Sequence, residues 1–236
     1  MTPDLAELGR RVLALGQGAE PGRRAIVGIA GPPGAGKSTL AAAILEEAHG
    51  VRPGSVAVVG MDAFHLAHTV LVDAGIADVK GAPETFDVRG YVALLTRLRT
   101  ETSSTVWCPE FRREIEDAVA GASAVGPEVA VVVTEGNYLL LDRPGWRDVR
   151  PLLDECWYVD TAQRQERLAA RHRAYGRGVD EAWARTNGSD EANARLVTPT
   201  RDRADLMIDL SDLDSPRGSA LVAPPTRART RSPRRC

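Results

Sequence analysis

The sequence predicts a parallel α/β sheet covered by helices on both faces, and three observations predict it. Short, continuously apolar stretches alternate with amphipathic helical ones along most of the chain. A glycine-rich turn joins the first of these stretches to a helix. The length of 236 residues, with 43% of them hydrophobic, suits one large domain with a single sizeable core.

Taken in order, residues 1–23 read as an amphipathic helix packed on the core, with Leu5, Leu8, Val12 and Leu15 on one face. The stretch lacks the long apolar centre and small-residue cleavage site of a secretory leader. The main domain then spans 24–214. Residues 25–30, AIVGIA, form a β-branched apolar run expected to be a buried strand. A helix is expected over 37–48 and a second strand over 55–62. Residues 87–100 are helical, with Val88, Tyr91, Leu94, Leu95 and Leu98 on one face. Residues 104–111 read as a strand, 128–136 as the clearest buried strand, and 155–160 as another. An arginine-rich helix over 161–176, with Thr161 as its N-cap, opens a small helical lid over about 161–195. Residues 204–210 supply the last strand. From 215 to 236 proline and arginine dominate and no acidic residue occurs, which predicts a disordered basic tail. That tail is a solvated end, or a weak contact for nucleic acid or an anionic surface.

Composition narrows the function classes. A formal net charge of -2 gives the body no global attraction to nucleic acid or anionic membrane. The three cysteines, Cys108, Cys156 and Cys236, are odd in number and lack CxxC spacing, so they read as reduced thiols in a cytoplasmic protein. No run approaches the roughly 20 apolar residues of a membrane span. Among 30 basic residues only Lys37 and Lys80 are lysine. A compact ammonium is not replaced by a guanidinium in a tight phosphate site.

The turn GPPGAGKS, Gly31 to Ser38, fits G-x-x-x-x-G-K-[ST] in full. Its residues Gly31, Pro32, Pro33, Gly34, Ala35 and Gly36 turn the backbone so that successive N–H groups face phosphate oxygens. The helix that follows, through Lys37, Ser38 and Thr39, adds its positive N-terminal end. Lys37 reaches the β- and γ-phosphates of a nucleoside triphosphate, and the Ser38 hydroxyl ligates Mg²⁺. No N-K-x-D stretch is present to mark a guanine-specific switch. A small-molecule kinase needs a carboxylate for the acceptor's proton, an acidic group near the metal, and mobile arginines over the phosphates.

Candidates for all three exist. Asp62 closes the second strand, where strand ends line the ligand crevice of a doubly wound sheet. His65 follows three residues later, in reach of acceptor or phosphate. Glu135 ends the strand VAVVVTEG, the position of an acidic residue that holds a metal or its water. Arg164, Arg167 and Arg171 share one helix face beside Arg173, and guanidinium forks suit phosphate oxygens.

With these residues in place the chain resembles the uridine kinase, phosphoribulokinase and pantothenate kinase superfamily of P-loop kinases. It looks closest to a bacterial branch of nucleoside, nucleotide or fructose-type kinases. The likeness is carried by MDAFHL, KGAPETFD (Lys80 to Asp87), TEGNYLLLD (Thr134 to Asp142), GW at Trp146, RLAARHRAYG and NGSDEANARLV. It covers roughly 24–210. The resemblance implies a three-layer P-loop NTPase fold with a mostly five-stranded parallel sheet, often assembled as a homodimer. It implies Asp62 as the catalytic carboxylate, Lys37 and Ser38 on phosphate and Mg²⁺, Glu135 near metal and acceptor, and Arg171 on the transferring phosphoryl group. Arg167 and Asn193 fall on the nucleotide side. His65, Lys80, Phe86, Arg113, Asn137 and Tyr138 fall on the acceptor side.

The chain also departs from the pattern. Ala63 stands where glycine is usual, Trp107 replaces a common tyrosine, and Arg112 replaces an aspartate expected near the acceptor. The Y-D-x-x-x-H segment of uridine kinases and the histidine and tyrosine pattern of pantothenate kinases are missing. The expectation is an ATP- and Mg²⁺-dependent transferase that phosphorylates a hydroxyl of a sugar, nucleoside or related alcohol, with no membrane or specific nucleic-acid partner. Arg112 points to a different or more anionic acceptor. The alternatives are a pantothenate-type or nucleotide kinase, and, from another class, a nucleotide-binding regulator without turnover.

Overall fold

The computed structural model describes residues 4–211. The predicted basic tail lies outside them.

The chain opens with α1 (Leu5–Gly18), whose first turn is capped by Asp4 accepting a hydrogen bond from the Glu7 amide at 2.7 Å. Then follow β1 (Ala25–Ala30), α2 (Lys37–Val51), β2 (Val56–Gly60), α3 (His68–Asp73) and α4 (Val88–Thr100). A hairpin, β3 (Val106–Arg112) and β4 (Asp117–Val125), precedes β5 (Val131–Gly136) and β6 (Glu155–Asp160). The lid comprises α5 (Arg164–Ala174), α6 (Val179–Arg185) and α7 (Glu191–Val197), and β7 (Leu206–Asp209) ends the sheet.

Five strands pair in the order β2-β5-β1-β6-β7, all parallel, as the alternation of strands and helices predicts. Because successive residues of a strand face opposite ways, the sheet carries two cores. Ile26, Val132, Cys156 and Tyr158 face α4 and the segment 138–153. Val27, Ile29, Val131, Val133, Trp157 and Val159 face α1 and α2. The strand over β5 lies between β2 and β1, and this places the carboxyl ends of β1, β2 and β5 side by side.

A buried arginine anchors the entry to β1. The Arg24 guanidinium donates to the carbonyls of Val129, Leu98 and Gly126 at 2.9, 2.9 and 3.0 Å, and also to that of Glu101. These bonds tie β1 to the end of α4 and to the turn before β5. Burial holds the guanidinium below its usual pKa, and the four carbonyls offset the desolvation of its charge.

Two expectations need correction. The strand expected over 104–111 forms, but outside the main sheet: β3 pairs antiparallel with β4, with a register shift between Cys108 and Glu110. Pro109 sits at that shift, where the ladder is interrupted. Thr161 is not an N-cap. The helix α5 begins at Arg164 with Gln163 as its cap residue, and the Thr161 hydroxyl bonds Gln163 Oε1 at 2.7 Å instead. The small helical lid expected over about 161–195 forms, as three helices with a π-turn, Thr186–Asp190, between the last two.

Candidate active site

The phosphate loop is held open by close packing. Gly31 sits so near the sheet that an added Cβ would lie 2.2 Å from the Val159 carbonyl oxygen. Gly34 has φ +82°, and its Cβ would meet the Arg164 carbonyl at 2.6 Å. Neither position admits a side chain. Lys37 leads α2 and is buried. Its ammonium donates to the Pro32 carbonyl at 3.0 Å and to Asn137 Oδ1 at 2.7 Å. Burial lowers its pKa to about 8, partly offset by Glu135 and Asp62. Ser38 is exposed, and its hydroxyl donates to Glu135 Oε1 at 3.1 Å. Gly60 pairs with Glu135 across β2 and β5, and its missing side chain leaves room for that carboxylate.

Asp62 lies in a single tight turn, Met61–Phe64, immediately after β2. Burial raises the Glu135 pKa, and Asp62 raises it further, so the two carboxylates share one field. Arg113, just past the end of β3, approaches Asp62 at 3.7 Å. His65 Nδ1 lies 2.8 Å from the Asp62 carbonyl oxygen. The His65 ring packs on Phe86 at 4.0 Å and Phe111 at 5.1 Å. Burial lowers its pKa, against a rise from Asp62.

These groups meet in one cavity of about 930 Å³, large enough for a nucleotide and a small acceptor. Pro33, Gly34, Gly36, Lys37, Ser38 and Thr39 line one end. Asp62, Glu135 and Asn137 form the floor; His65, Lys80, Phe86 and Arg113 form the far wall; Arg167, Arg171 and Asn193 descend from the lid. Arg171 is surrounded by protein on most sides yet open to solvent through the cleft. Burial, followed by the charge of Arg113, lowers its pKa. Among the described residues no carboxylate lies within ion-pair distance of it.

Some predicted residues lie outside the cavity lining, and others line it while bonded to neighbouring groups. Gly31, Pro32 and Ala35 shape the loop from behind and do not line the cavity. Tyr138 is fully buried, and its hydroxyl donates to the Gly81 carbonyl at 2.6 Å. Asn193 donates to the same carbonyl at 3.1 Å. Asn137 is committed to Lys37. Arg164 leaves the arginine face to pair with Glu191 at 2.5 Å. Arg112 pairs with Glu110 at 2.9 Å on the outside of the hairpin. The sequence reading missed Phe111, Glu114, Glu116, Tyr175, Arg177 and Arg185 on the cavity wall. Only the hairpin pairing and the bends of the lid bring them there.

No protein-family model matches the chain. A Schizosaccharomyces pombe protein named "Putative uridine kinase" is 32% identical over 209 residues, spanning 84% of this chain and 88% of that one. "Uncharacterized protein YggC" of Escherichia coli is 33% identical over 208 residues, 85% of this chain and 84% of that one. The crystal structure of a "putative fructose transport system kinase" from a Silicibacter species superposes with a TM-score of 0.77 at 40% identity. It covers 87% of this chain and 98% of that one.

Proposed function

The chain belongs to the P-loop kinase superfamily of uridine kinase, pantothenate kinase and phosphoribulokinase, and from that premise we propose that it transfers the γ-phosphate of ATP to a hydroxyl of a small metabolite, with Asp62 as general base. One observation carries the reading: Asp62 opens into the same cavity as Lys37 and Ser38, with Arg171 opposite and without a carboxylate partner among the described residues.

In the step, the acceptor O–H gives its proton to the Asp62 carboxylate as its oxygen bonds the γ-phosphorus. The bond from that phosphorus to the bridging oxygen breaks, and ADP leaves with the electron pair. Lys37 and the loop amides hold the β- and γ-phosphates. Arg171 meets the charge that spreads over the equatorial oxygens, and positioning with electrostatics supplies most of the acceleration.

The donor set suits Mg²⁺. Ser38 and Glu135 offer hard oxygens 3.1 Å apart, and burial and neighbouring Asp62 disfavour the Glu135 charge more than Lys37 favours it, so a further cation would stabilise the carboxylate. Among the described residues no three His, Cys, Asp or Glu cluster into an all-protein cage. That suits an ion that takes its other ligands from phosphate oxygens and water. Such an ion would neutralise phosphate charge. Within the described residues no helix is long and apolar enough to cross a membrane, and the buried free thiols Cys108 and Cys156 support a reducing, cytoplasmic setting.

ADP release from Mg·ATP, measured with sugars, sugar derivatives and nucleosides as acceptors and with Lys37→Ala as the blank, tests the reading. Acceptor-dependent ADP above the blank is the expected result. ATP bound normally with no acceptor-dependent ADP overturns it.

A further inference from the structure

The wall facing the phosphate loop carries cations that the transfer chemistry does not use. Lys80, from the turn that precedes Phe86, and Arg113, from the hairpin, stand over the same Phe111 ring at 5.7 and 5.8 Å. Among the described residues the Lys80 ammonium hydrogen-bonds a backbone carbonyl, that of Glu116, and no side chain. Arg113 touches Asp62 only at 3.7 Å, the outer edge of an ion pair, and also stands 5.9 Å from the Tyr175 ring of the lid. Glu114 and Glu116 share the wall, and among the described residues neither forms an ion pair with either cation. The two like charges gathered at one ring repel each other, and among the described residues the one carboxylate in ion-pair range of either is Asp62 at 3.7 Å, so an anion placed between the cations would relieve that repulsion.

We infer that the acceptor is itself an anion, a hydroxylated metabolite bearing a carboxylate or phosphate that docks between Lys80 and Arg113 while its reacting hydroxyl faces Asp62. The inference rests on the kinase reading above and names its substrate class. The spacing sets the size. Arg113 is in contact range of Asp62, so the anionic group and the reacting hydroxyl lie a few bonds apart. A guanidinium fork and a point-charge ammonium together grip a carboxylate or phosphate well. The acceptor's anion also competes with Asp62 for Arg113, which leaves the base free for the hydroxyl proton only when the acceptor is present. The sequence pointed to an anionic acceptor through Arg112; the geometry moves that role one residue on.

Matched acceptors decide it: glycerol against glycerate and glycerol 3-phosphate, ribose against ribonate and ribose 5-phosphate, and fructose against fructose 6-phosphate. The expected result is a kcat/KM for one anionic member at least about 10-fold above its neutral partner. The winning member tells carboxylate from phosphate. Lys80→Met and Arg113→Met should each raise the KM for that acceptor by about 10- to 100-fold, the worth of a charge-assisted hydrogen bond, with KM for ATP unchanged. Arg113→Lys should recover part of the loss. Neutral members turned over as well as their charged partners overturn the inference and leave the kinase reading standing. So does an equal loss on both members in the variants. Silence across every pair, with ATP still bound, overturns both.

Discussion

The cleft has two walls of different construction. The phosphate wall comes from one continuous run, residues 31–39, between a buried strand and a helix. Its backbone is fixed by contacts that tolerate no Cβ at Gly31 or Gly34. The wall we assign to the acceptor is assembled from the turn after β2, the loop that ends at Phe86, the hairpin tip and the lid. Side chains hold it together: rings packed on rings, and two donors from distant segments meeting on the Gly81 carbonyl. Chemistry common to every member of such a family can be fixed once in a short rigid motif. Recognition of a particular acceptor draws on separate loops, each of which varies without disturbing the phosphate grip.

The largest separation of the two walls should come from Asp62→Asn. Asparagine keeps the size and the hydrogen-bonding reach of the side chain but cannot take the proton. Turnover should fall by roughly 10²-fold or more, the usual worth of a general base, while ATP affinity measured by calorimetry stays within about twofold. Turnover near wild type would remove Asp62 from its role. A matching loss of ATP affinity would show that the two walls are not independent.

The same contrast governs what the sequence made legible. The phosphate wall was readable because strand, turn and helix are consecutive and the spacing of Gly31, Gly36, Lys37 and Ser38 is dictated by a phosphate chain. Asp62 and Glu135 were readable because strand ends in a parallel sheet point into one crevice. The acceptor wall was not. β4, DAVAGASAV, is built of small residues with no continuous apolar run, so nothing local marks it as a strand. Without it, Phe111 and Arg113 have no defined direction. The arginine face of α5 was legible as helical spacing, yet only the fold of the lid brings Glu191 from α7 onto Arg164 and so withdraws it. Asn193 is expected on the nucleotide side, and nothing in its own segment shows that its amide bonds the Gly81 carbonyl, more than a hundred residues away.

A smaller effect tests how the acceptor wall is held. Tyr138→Phe keeps the ring packed on Phe86 and Trp146, with centroids at 5.7 and 5.1 Å, and removes only the bond to Gly81. Asn193 still satisfies that carbonyl. Chemical denaturation should report a loss of about 1 kcal/mol, the net value of one hydrogen bond. Kinetics should show the acceptor KM raised a few-fold with the ATP KM unmoved. A change confined to the ATP KM would place Gly81 on the other wall.

The smallest effect is the most discriminating about direction. Arg112 and Arg113 are adjacent, but β3 ends at Arg112 and Arg113 is the first residue of the turn that follows, so the two side chains leave the chain in different directions. Arg112 is half exposed and paired with Glu110, which is similarly exposed; Arg113 faces the cavity. An exposed ion pair of this kind contributes about 0–1 kcal/mol. Arg112→Ala should therefore leave stability, both KM values and kcat within about twofold of wild type in the assay where Arg113→Met raises the acceptor KM. If Arg112→Ala instead matches Arg113→Met, the hairpin in solution carries a register shifted by one residue. The cation that faces the acceptor would then be Arg112, in the position where the family's aspartate is expected.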